Sequence, residues 1–322
     1  MKKIIALGVV VFGLVALYGL AWLWAAGQAT AYVKSLETAD GVDAPRVVCS
    51  NFAISGFPFG FDANCEGATV ETGDVTITLG GLKAAVEVYR PTHVLFFAQS
   101  PASISDAFTG SSGRIDFVRG QASVRLDNWR IGRASLVIDE PRLTDTVLED
   151  RPLANATRLE AHLIDQPGKH DASKGLASLA QYVKIDGLDA PGWQVARGEA
   201  QLEAEITNLP DDMRVYGDAD LLRRWQDAGG RFVLTGLKGG DSVGSFEASG
   251  TLGLDSAGRA EGQLKLHSNG IVERLAPLFP PDYQGWIVGT QAADGSYSQT
   301  LNIAAGVVFS GLVPTGIIPP LL

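Results

Sequence analysis

The chain has 322 residues, of which 46% are hydrophobic, 8% are aromatic and 38 are glycine, and its formal net charge is −10. Its 26 basic residues include Lys2 and Lys3, so the remaining chain carries 24 basic against 36 acidic residues, a net charge near −12. This balance argues against nucleic acid as a partner, because phosphate neutralisation by basic side chains supplies most of that affinity. It also argues against broad contact with anionic lipid headgroups, so any lipid contact is expected to involve acyl chains.

An uncharged apolar run, Ile4–Ala26, directly follows the Lys2-Lys3 pair. A helix needs about 20 such residues to cross a hydrocarbon layer of about 30 Å, so the run predicts a transmembrane anchor over residues 4–26. The two lysines favour a cytoplasmic tip at residues 1–3, and residues 27–322 are then predicted to form a β-rich domain on the other side of the membrane. The expected topology is therefore a single pass.

A cleaved signal peptide is the alternative interpretation of this run, with Ala29-Thr30-Ala31 as the cleavage site. The apolar part of a cleavable signal is about 7–15 residues long, which is shorter than the run observed, so retention is favoured. Both interpretations export the rest of the chain. The following residues, Gln28 to Glu37, predict a continuation of the helix, which Asp40-Gly41 ends.

Cys49 and Cys65 are the only cysteines, and they enclose 15 residues. An even number of cysteines in an oxidising compartment predicts a disulfide; two separately buried thiols are the alternative. Between them, Phe57, Phe59 and Phe61 alternate, which predicts that they share one face of an extended segment. We expect these rings to belong to the core, or alternatively to line a ligand groove.

Strand signals follow, in which apolar residues alternate with polar ones. The apolar members are Val75, Ile77 and Leu79; Ala122, Val124 and Leu126; Leu159, Ala161 and Leu163; and Leu202, Ala204 and Ile206. Residues 245–268 predict a hairpin that turns at Asp255–Gly258, and the tail near Leu301–Pro314 predicts one or two last strands. Such one-sided strands are typical of an antiparallel sheet, long and curved or folded as a sandwich.

Three short segments have helical spacing. The first contains Leu176, Leu179, Ala180 and Val183, the second Leu221, Leu222 and Trp225 after the capping candidates Asp218 and Asp220, and the third Ile271, Val272 and Leu275. Each is apolar on one side only, so each is predicted to pack on a sheet. The expected fold is thus mainly β with a few short helices, preceded by one transmembrane helix.

Patterns that carry chemistry are weak in this chain. Gly240–Gly244 matches G-x-S-x-G around Ser242, followed by Asp255 and His267, but a nucleophile elbow requires a strand before it and a helix after it, whereas a strand is predicted from Ser245. The histidines His93, His162, His170 and His267 lack ligand spacing and are expected to face solvent. Glu203 and Glu205 fit a solvated strand face, and no nucleotide-binding loop is present. We therefore expect neither an enzyme nor a metal or cofactor.

Three segments carry a resemblance to a known family. They are Ile54–Phe59 beside the two cysteines, Trp225–Gly230, and Gly250–Gly258 followed by Gly262–Leu266. Over essentially its whole length the chain resembles the bacterial envelope proteins of domain of unknown function 2125. More loosely it is similar to AsmA-like proteins, and that resemblance implies a periplasmic curved sheet whose apolar face is linked to lipid movement and envelope maintenance.

The leading functional prediction is a periplasmic sheet that binds or shields lipid acyl chains. Its candidate apolar groove comprises Phe57, Phe59, Phe61, Val75, Ile77, Leu79, Leu126, Leu252 and Leu264. An open sheet that buries only one face must cover that face with a second layer or with a guest. The alternative is a scaffolding protein that binds other envelope proteins along a sheet edge.

Overall fold

The computed structural model describes residues 2–41, 45–270 and 289–321. The helix predicted around Ile271, Val272 and Leu275 lies outside these residues. The chain divides into two compact units, unit 1 with Met1–Gln121 and Thr144–Arg151, and unit 2 with Ala122–Leu143 and Pro152–Leu322.

Helix α1 extends over Lys2–Leu36 and so contains the whole apolar run and the continuation predicted after it. Lys34 lies in its last turn, where a cation interacts favourably with the helix dipole. Most of its apolar side chains, such as Ile4, Phe12 and Leu23, are exposed. Among the described residues, α1 is the one helix long and apolar enough to cross a membrane.

The other described residues are mostly in antiparallel strands. The strands up to residue 155 are β1 Arg46–Cys49, β2 Phe52–Ser55, β3 Gly60–Cys65, β4 Ala68–Thr72, β5 Val75–Glu87, β6 Arg90–Asp106, β7 Ser111–Asp116, β8 Arg119–Asp127, β9 Arg130–Asp139, β10 Arg142–Asp145 and β11 Arg151–Asn155. Those that follow are β12 Arg158–Asp165, β13 Leu176–Ala190, β14 Val195–Pro210, β15 Phe232–Gly240, β16 Ser245–Leu254, β17 Ala260–Asn269, β18 Thr290–Gln291, β19 Tyr297–Ala304, β20 Val307–Ser310 and β21 Val313–Ile317.

Strand β5 is the centre of unit 1. Its first half pairs with β4 and its second half with β3, while β6 pairs along its other edge. β1 extends the sheet beyond β4, β2 beyond β3, and β7 beyond β6. Every one of these pairings is antiparallel, as the alternating sequence around Val75–Leu79 predicts.

Unit 2 contains an antiparallel sheet in which the strands follow one another in the order β9, β12, β13, β14, β15, β16, β17, β19, β20 and β21. The predicted strands at Leu159–Leu163 and Leu202–Ile206, the hairpin at residues 245–268 and the final strands are confirmed. Short connections join β13 to β14, β15 to β16, β16 to β17, β19 to β20 and β20 to β21, because antiparallel neighbours need only a tight turn between them.

Helix α2, Leu221–Asp227, confirms the second predicted helix. Asp220 at its N-cap makes no side-chain capping bond, and its carboxylate instead accepts from Arg224 Nε at 2.9 Å. Trp225 Nε1 donates to the backbone oxygen of Thr207 at 2.8 Å, which holds α2 against β14. Three 3-10 turns, Pro167–Lys169, Pro191–Trp193 and Met213–Gly217, complete the connections.

The first predicted helix, around Leu176, Leu179, Ala180 and Val183, is wrong. These residues lie in strand β13, which pairs with β12 on one side and β14 on the other. Ala177, Ser178 and Leu179 are buried in succession, so this end of the strand is covered on both faces. A strand buried on both faces loses its period of two, and the apolar positions then imitate a helix.

The prediction that Phe57, Phe59 and Phe61 share a face of an extended segment is also wrong. Phe61 lies in β3, but Phe57 and Phe59 belong to a turn in which Gly60 N donates to Gly56 O at 2.9 Å. Gly56 has φ +102°, and a Cβ there would lie 2.9 Å from Gly60 O, so this turn requires glycine. Phe57 and Phe59 are 53% and 73% exposed and are not core residues.

Candidate functional site

A continuous apolar face crosses the sheet of unit 2. Residues paired directly across neighbouring strands project to the same face. One transverse row is Val183, Leu202, Leu237, Ala248 and Leu266, and a second is Leu179, Ile206, Phe232, Leu252, Gly262 and Ile303. From β13 to β17 the face is about 19 Å wide, given a strand spacing of about 4.8 Å.

The opposite face of the same strands is polar. A transverse row there is Lys184, Gln201, Lys238, Glu247, His267 and Ser298. Lys238 Nζ lies 3.2 Å from Glu247 Oε1, and His267 Nδ1 lies 3.0 Å from Ser298 Oγ. The sheet is therefore two-sided over five successive strands, and only the polar face is suited to water.

The apolar face is incompletely covered. Its most buried members are Ala204, Leu234 and Ala248, which are 5%, 7% and 4% exposed. The larger side chains around them are only partly buried: Leu202, Phe232, Leu237, Leu264 and Leu266. Among the described residues no large side chain falls below 2% exposure. A closed core of this composition would bury its leucines fully, so part of the apolar surface remains open to an additional layer.

Glycines occupy two positions on this face, in β16 and in β17. Leu252 is paired with Gly262, and Gly250 is paired with Leu264, so each leucine stands opposite a position without a side chain. A Cβ at Gly250 would lie 2.1 Å from Gln263 O, and one at Gly262 would lie 2.1 Å from Thr251 O, so the neighbouring backbones approach too closely for any larger residue. No side chain of the paired residue therefore covers either leucine.

A buried ion cluster borders this face where β12 and β13 meet. Asp165, which is paired with Leu179, is buried, and its Oδ2 lies 3.3 Å from Arg130 Nε. Arg130 Nη1 donates to His170 Nδ1 at 2.8 Å, and His170 Nε2 lies 3.0 Å from Asp211 Oδ2. Asp127 also accepts from Arg130, at 2.9 Å. Two carboxylates, Asp127 and Asp165, contact the Arg130 guanidinium and a third, Asp211, contacts His170, so the cluster does not suit a phosphate headgroup.

Sequence reasoning missed this cluster, because its members lie at strand ends and in loops spread over residues 127–211 and no local spacing connects them. The prediction that the histidines face solvent is wrong for His170 and for His162, whose side chains are 20% and 18% exposed. His162 Nδ1 lies 2.9 Å from Ser135 Oγ, within the sheet. Burial, together with the charges of Asp211 and Asp165, raises the pKa of Tyr216 beside the cluster to about 12.

In unit 1 an aromatic loop, Gly56–Gly60, packs against α1. Trp22 Nε1 donates to Gly60 O at 3.0 Å, and the Tyr18 hydroxyl donates to Pro58 O. The Trp22 ring stacks on Phe61 with centroids 5.1 Å apart and meets Phe57 edge-on at 5.5 Å. Trp22 is consequently one of the few buried residues of α1.

The residues predicted to line a groove are divided between the two units. Phe57, Phe59 and Phe61 lie near α1, and Val75, Ile77 and Leu79 alternate on β5 opposite Thr72, Val70 and Ala68 of β4. Leu126 lies on β8, half-buried. Leu252 and Leu264 are diagonal neighbours on the apolar face of unit 2. Whether any of them contacts a ligand stays a prediction.

Cys49 and Cys65, the predicted disulfide pair, lie at disulfide distance from each other. The pair joins β1 to β3, with the two Cα atoms 5.5 Å apart. The described part of the chain holds no free cysteine.

The G-x-S-x-G residues do not assemble with Asp255. Ser242 lies in the turn between β15 and β16, and Asp255 follows the far end of β16, about 30 Å away at about 3.3 Å per residue. Asp255 accepts from Arg259 Nε at 2.9 Å, and the backbone N–H and guanidinium of Arg259 lower the pKa of the Asp255 carboxyl. Within residues 2–41, 45–270 and 289–321, no three potential metal-binding side chains converge.

Taken together, the fold defines a class: a β-sheet protein that carries one candidate membrane helix at its amino terminus. Residues 22–319 match the family described as uncharacterized proteins conserved in bacteria, domain of unknown function 2125, and the chain belongs to that family. No curated protein and no solved structure matches the chain. The looser similarity to AsmA-like proteins therefore stays a prediction.

Proposed function

We propose that this bacterial protein is a single-pass inner-membrane protein whose periplasmic sheet in unit 2 holds or shields lipid acyl chains, without performing chemistry on them. The observation that carries the proposal is the incompletely covered apolar face around Ala204, Leu234 and Ala248. Helix α1 supplies the link to the membrane, and the disulfide is consistent with an oxidising compartment.

The energetics favour an apolar guest on this face. Burying apolar surface contributes about 25 cal/mol per Å², and each buried methylene about 0.8 kcal/mol, so a chain laid along partly exposed leucines stabilises both partners. Leu252 and Leu264 are paired with Gly262 and Gly250, so no side chain of the paired residue covers either leucine. The acidic body, in contrast, disfavours anionic headgroups as the recognised element.

A photoreactive fatty acid tests this proposal. The full chain in detergent is incubated with diazirine-bearing palmitic acid, irradiated and analysed by peptide mass spectrometry. We expect label on β16 and β17, and the label on α1 serves as an internal reference. The double variant Leu252→Ser/Leu264→Ser is expected to lower the sheet label about tenfold, because apolar contact area is lost from both strands.

The matched control is Thr251→Ser/Gln263→Ser, which changes adjacent residues of the same strands on the polar face and should leave the label unchanged. Leu264→Ala provides a milder variant if the double variant unfolds. Label on α1 with none on Ser245–Asn269 would overturn the proposal. A co-purifying envelope protein cross-linked along a sheet edge, with no fatty acid on the face, would instead support the scaffolding alternative.

A further inference from the structure

The turn between β2 and β3 is attached to α1 at a defined position along the helix axis. Tyr18 and Trp22 each donate a hydrogen bond to its backbone, at Pro58 and Gly60, and Trp22 also contacts the rings of Phe57 and Phe61. Tyr18 contacts the Phe57 ring as well, with centroids 6.2 Å apart, and the two directional bonds and three ring contacts leave the turn little freedom to move along the helix. The position of the turn is therefore set by the position of α1.

This position along the helix axis, at Tyr18 and Trp22, lies inside the apolar run of α1. At about 1.5 Å per residue, Trp22 lies about 6 Å and Tyr18 about 12 Å from Ala26, measured back toward the amino terminus. A hydrocarbon layer that covers α1 up to Ala26 thus reaches the level at which the turn is held. No charged residue occurs in the sequence from Asn51 to Phe61 that would oppose its entry.

The surface presented at this level is mainly apolar and aromatic, with the exposed Glu87, which is paired with Gly60, at its rim. Phe59 and Phe57 are largely exposed, and Val88 N donates to Phe59 O at 2.9 Å, which places the turn between β5 and β6 beside them. Val88 and Tyr89 are exposed as well, and Arg90 lies over the Tyr89 ring at 5.9 Å. Aromatic rings rimmed by an arginine are typical of the boundary between hydrocarbon and headgroups.

We propose that the aromatic loop Gly56–Gly60 inserts into the membrane leaflet from which α1 emerges, as a second contact between unit 1 and the bilayer. The partner is the lipid hydrocarbon, because the loop is continuous with the apolar surface of α1 and carries no charge. This inference rests on the proposed membrane anchor. Its consequence is that unit 1 has a set orientation toward the membrane instead of rotating about a single helix.

Site-specific photo-crosslinking tests the insertion. The full chain, with p-benzoylphenylalanine substituted for Phe59, is reconstituted in nanodiscs of phosphatidylethanolamine and phosphatidylglycerol, irradiated and analysed for lipid-modified peptides. The control substitutes Phe108, an 85% exposed phenylalanine of the same unit that follows the opposite end of the 17-residue strand β6. A second control substitutes Leu14, within the apolar run of α1.

Lipid adducts at positions 59 and 14 but not at 108 are the expected result. Adducts at 14 without adducts at 59, or equal adducts at 59 and 108, would overturn the insertion while leaving the anchor intact. An absence of lipid adducts at position 14 would contradict the membrane anchor, and the insertion of the loop with it. None of these outcomes changes the fatty-acid labelling of β16 and β17, which is measured in a separate experiment.

Trp22→Ala provides an independent test of how the loop is held. This variant removes one hydrogen bond and two ring contacts, so the lipid-adduct yield at position 59 is expected to fall by about half or more. Trp24→Ala is the matched control, since Trp24 is 69% exposed and its ring has no aromatic contact among the described residues. Equal yields in the two variants would contradict the role assigned to Trp22.

Discussion

Replacing Ala248 by aspartate is expected to lower the free energy of unfolding by about 3 kcal/mol or more, because the new carboxylate would be buried without a partner. Ala248 is 4% exposed at the centre of the apolar face, between Leu237 and Leu266 on the neighbouring strands. The effect is measured as a shift of the urea midpoint, followed by far-UV circular dichroism of the full chain in detergent.

Thr251→Asp introduces the same charge on the same strand, but on the polar face, and should change the midpoint little. Thr251 is exposed and is paired with Gln263, and β16 pairs with β17 without a register shift, so the two faces are unambiguous. Equal midpoints for the two variants would contradict the assignment of the buried face, and with it the basis for an acyl-chain site.

Removing the disulfide, as Cys49→Ala/Cys65→Ala, is expected to lower the free energy of unfolding of unit 1 by about 3 kcal/mol in the chain-entropy model for a loop of about 15 residues. The bond joins β1 to β3, which pair with different strands, β4 and β5. Without it, the segment that carries the aromatic loop keeps its backbone pairing, its contacts with α1 and the ion pair between Asp62 and Lys83. Urea unfolding monitored by tryptophan fluorescence measures the change.

Reductant supplies the control for this prediction. Dithiothreitol should shift the unfolding midpoint of the native chain toward that of the double variant and leave the variant itself unchanged. In intact cells, both cysteines should resist alkylation until reductant is added, as expected for an exported disulfide. Thiols that react at once, or a variant as stable as the native chain, would count against the predicted role and compartment.

Strand positions were predictable wherever one face of the sheet meets water. In β14, Leu202, Ala204 and Ile206 face the apolar side, and Gln201, Glu203 and Glu205 the polar side, so the period of two appears in the sequence. The alternation identifies the buried face because a shift of the strand register by one residue would move every side chain to the opposite face. The helix at Leu221–Asp227 was predictable because its apolar residues have helical spacing and lie on one side only.

The sequence-based predictions were wrong where contacts with residues distant in the sequence determine the local structure. At Ala177–Leu179 both faces are covered, so the apolar spacing no longer indicates a strand. Alternating phenylalanines suggested an extended segment at residues 57–61, but Gly56 and the attachment of the turn to Trp22 produce a loop instead. The cluster of Arg130, Asp165 and His170 likewise exists only because β9, β12 and the turn after β12 converge.

The sequence by itself determined three properties of this protein: an apolar amino-terminal helix, a paired set of cysteines and a two-faced antiparallel sheet. Each depends on residue type and on the spacing of residues along the chain. Strand and helix geometry place residues on one side at periods of two and 3.6, so the spacing indicates the structure directly. Only the tertiary structure decided which apolar surface stays incompletely covered and which aromatic rings contact α1. Those properties depend on contacts between residues distant in sequence, such as Trp22 with Phe57 and Phe61, for which no local pattern exists.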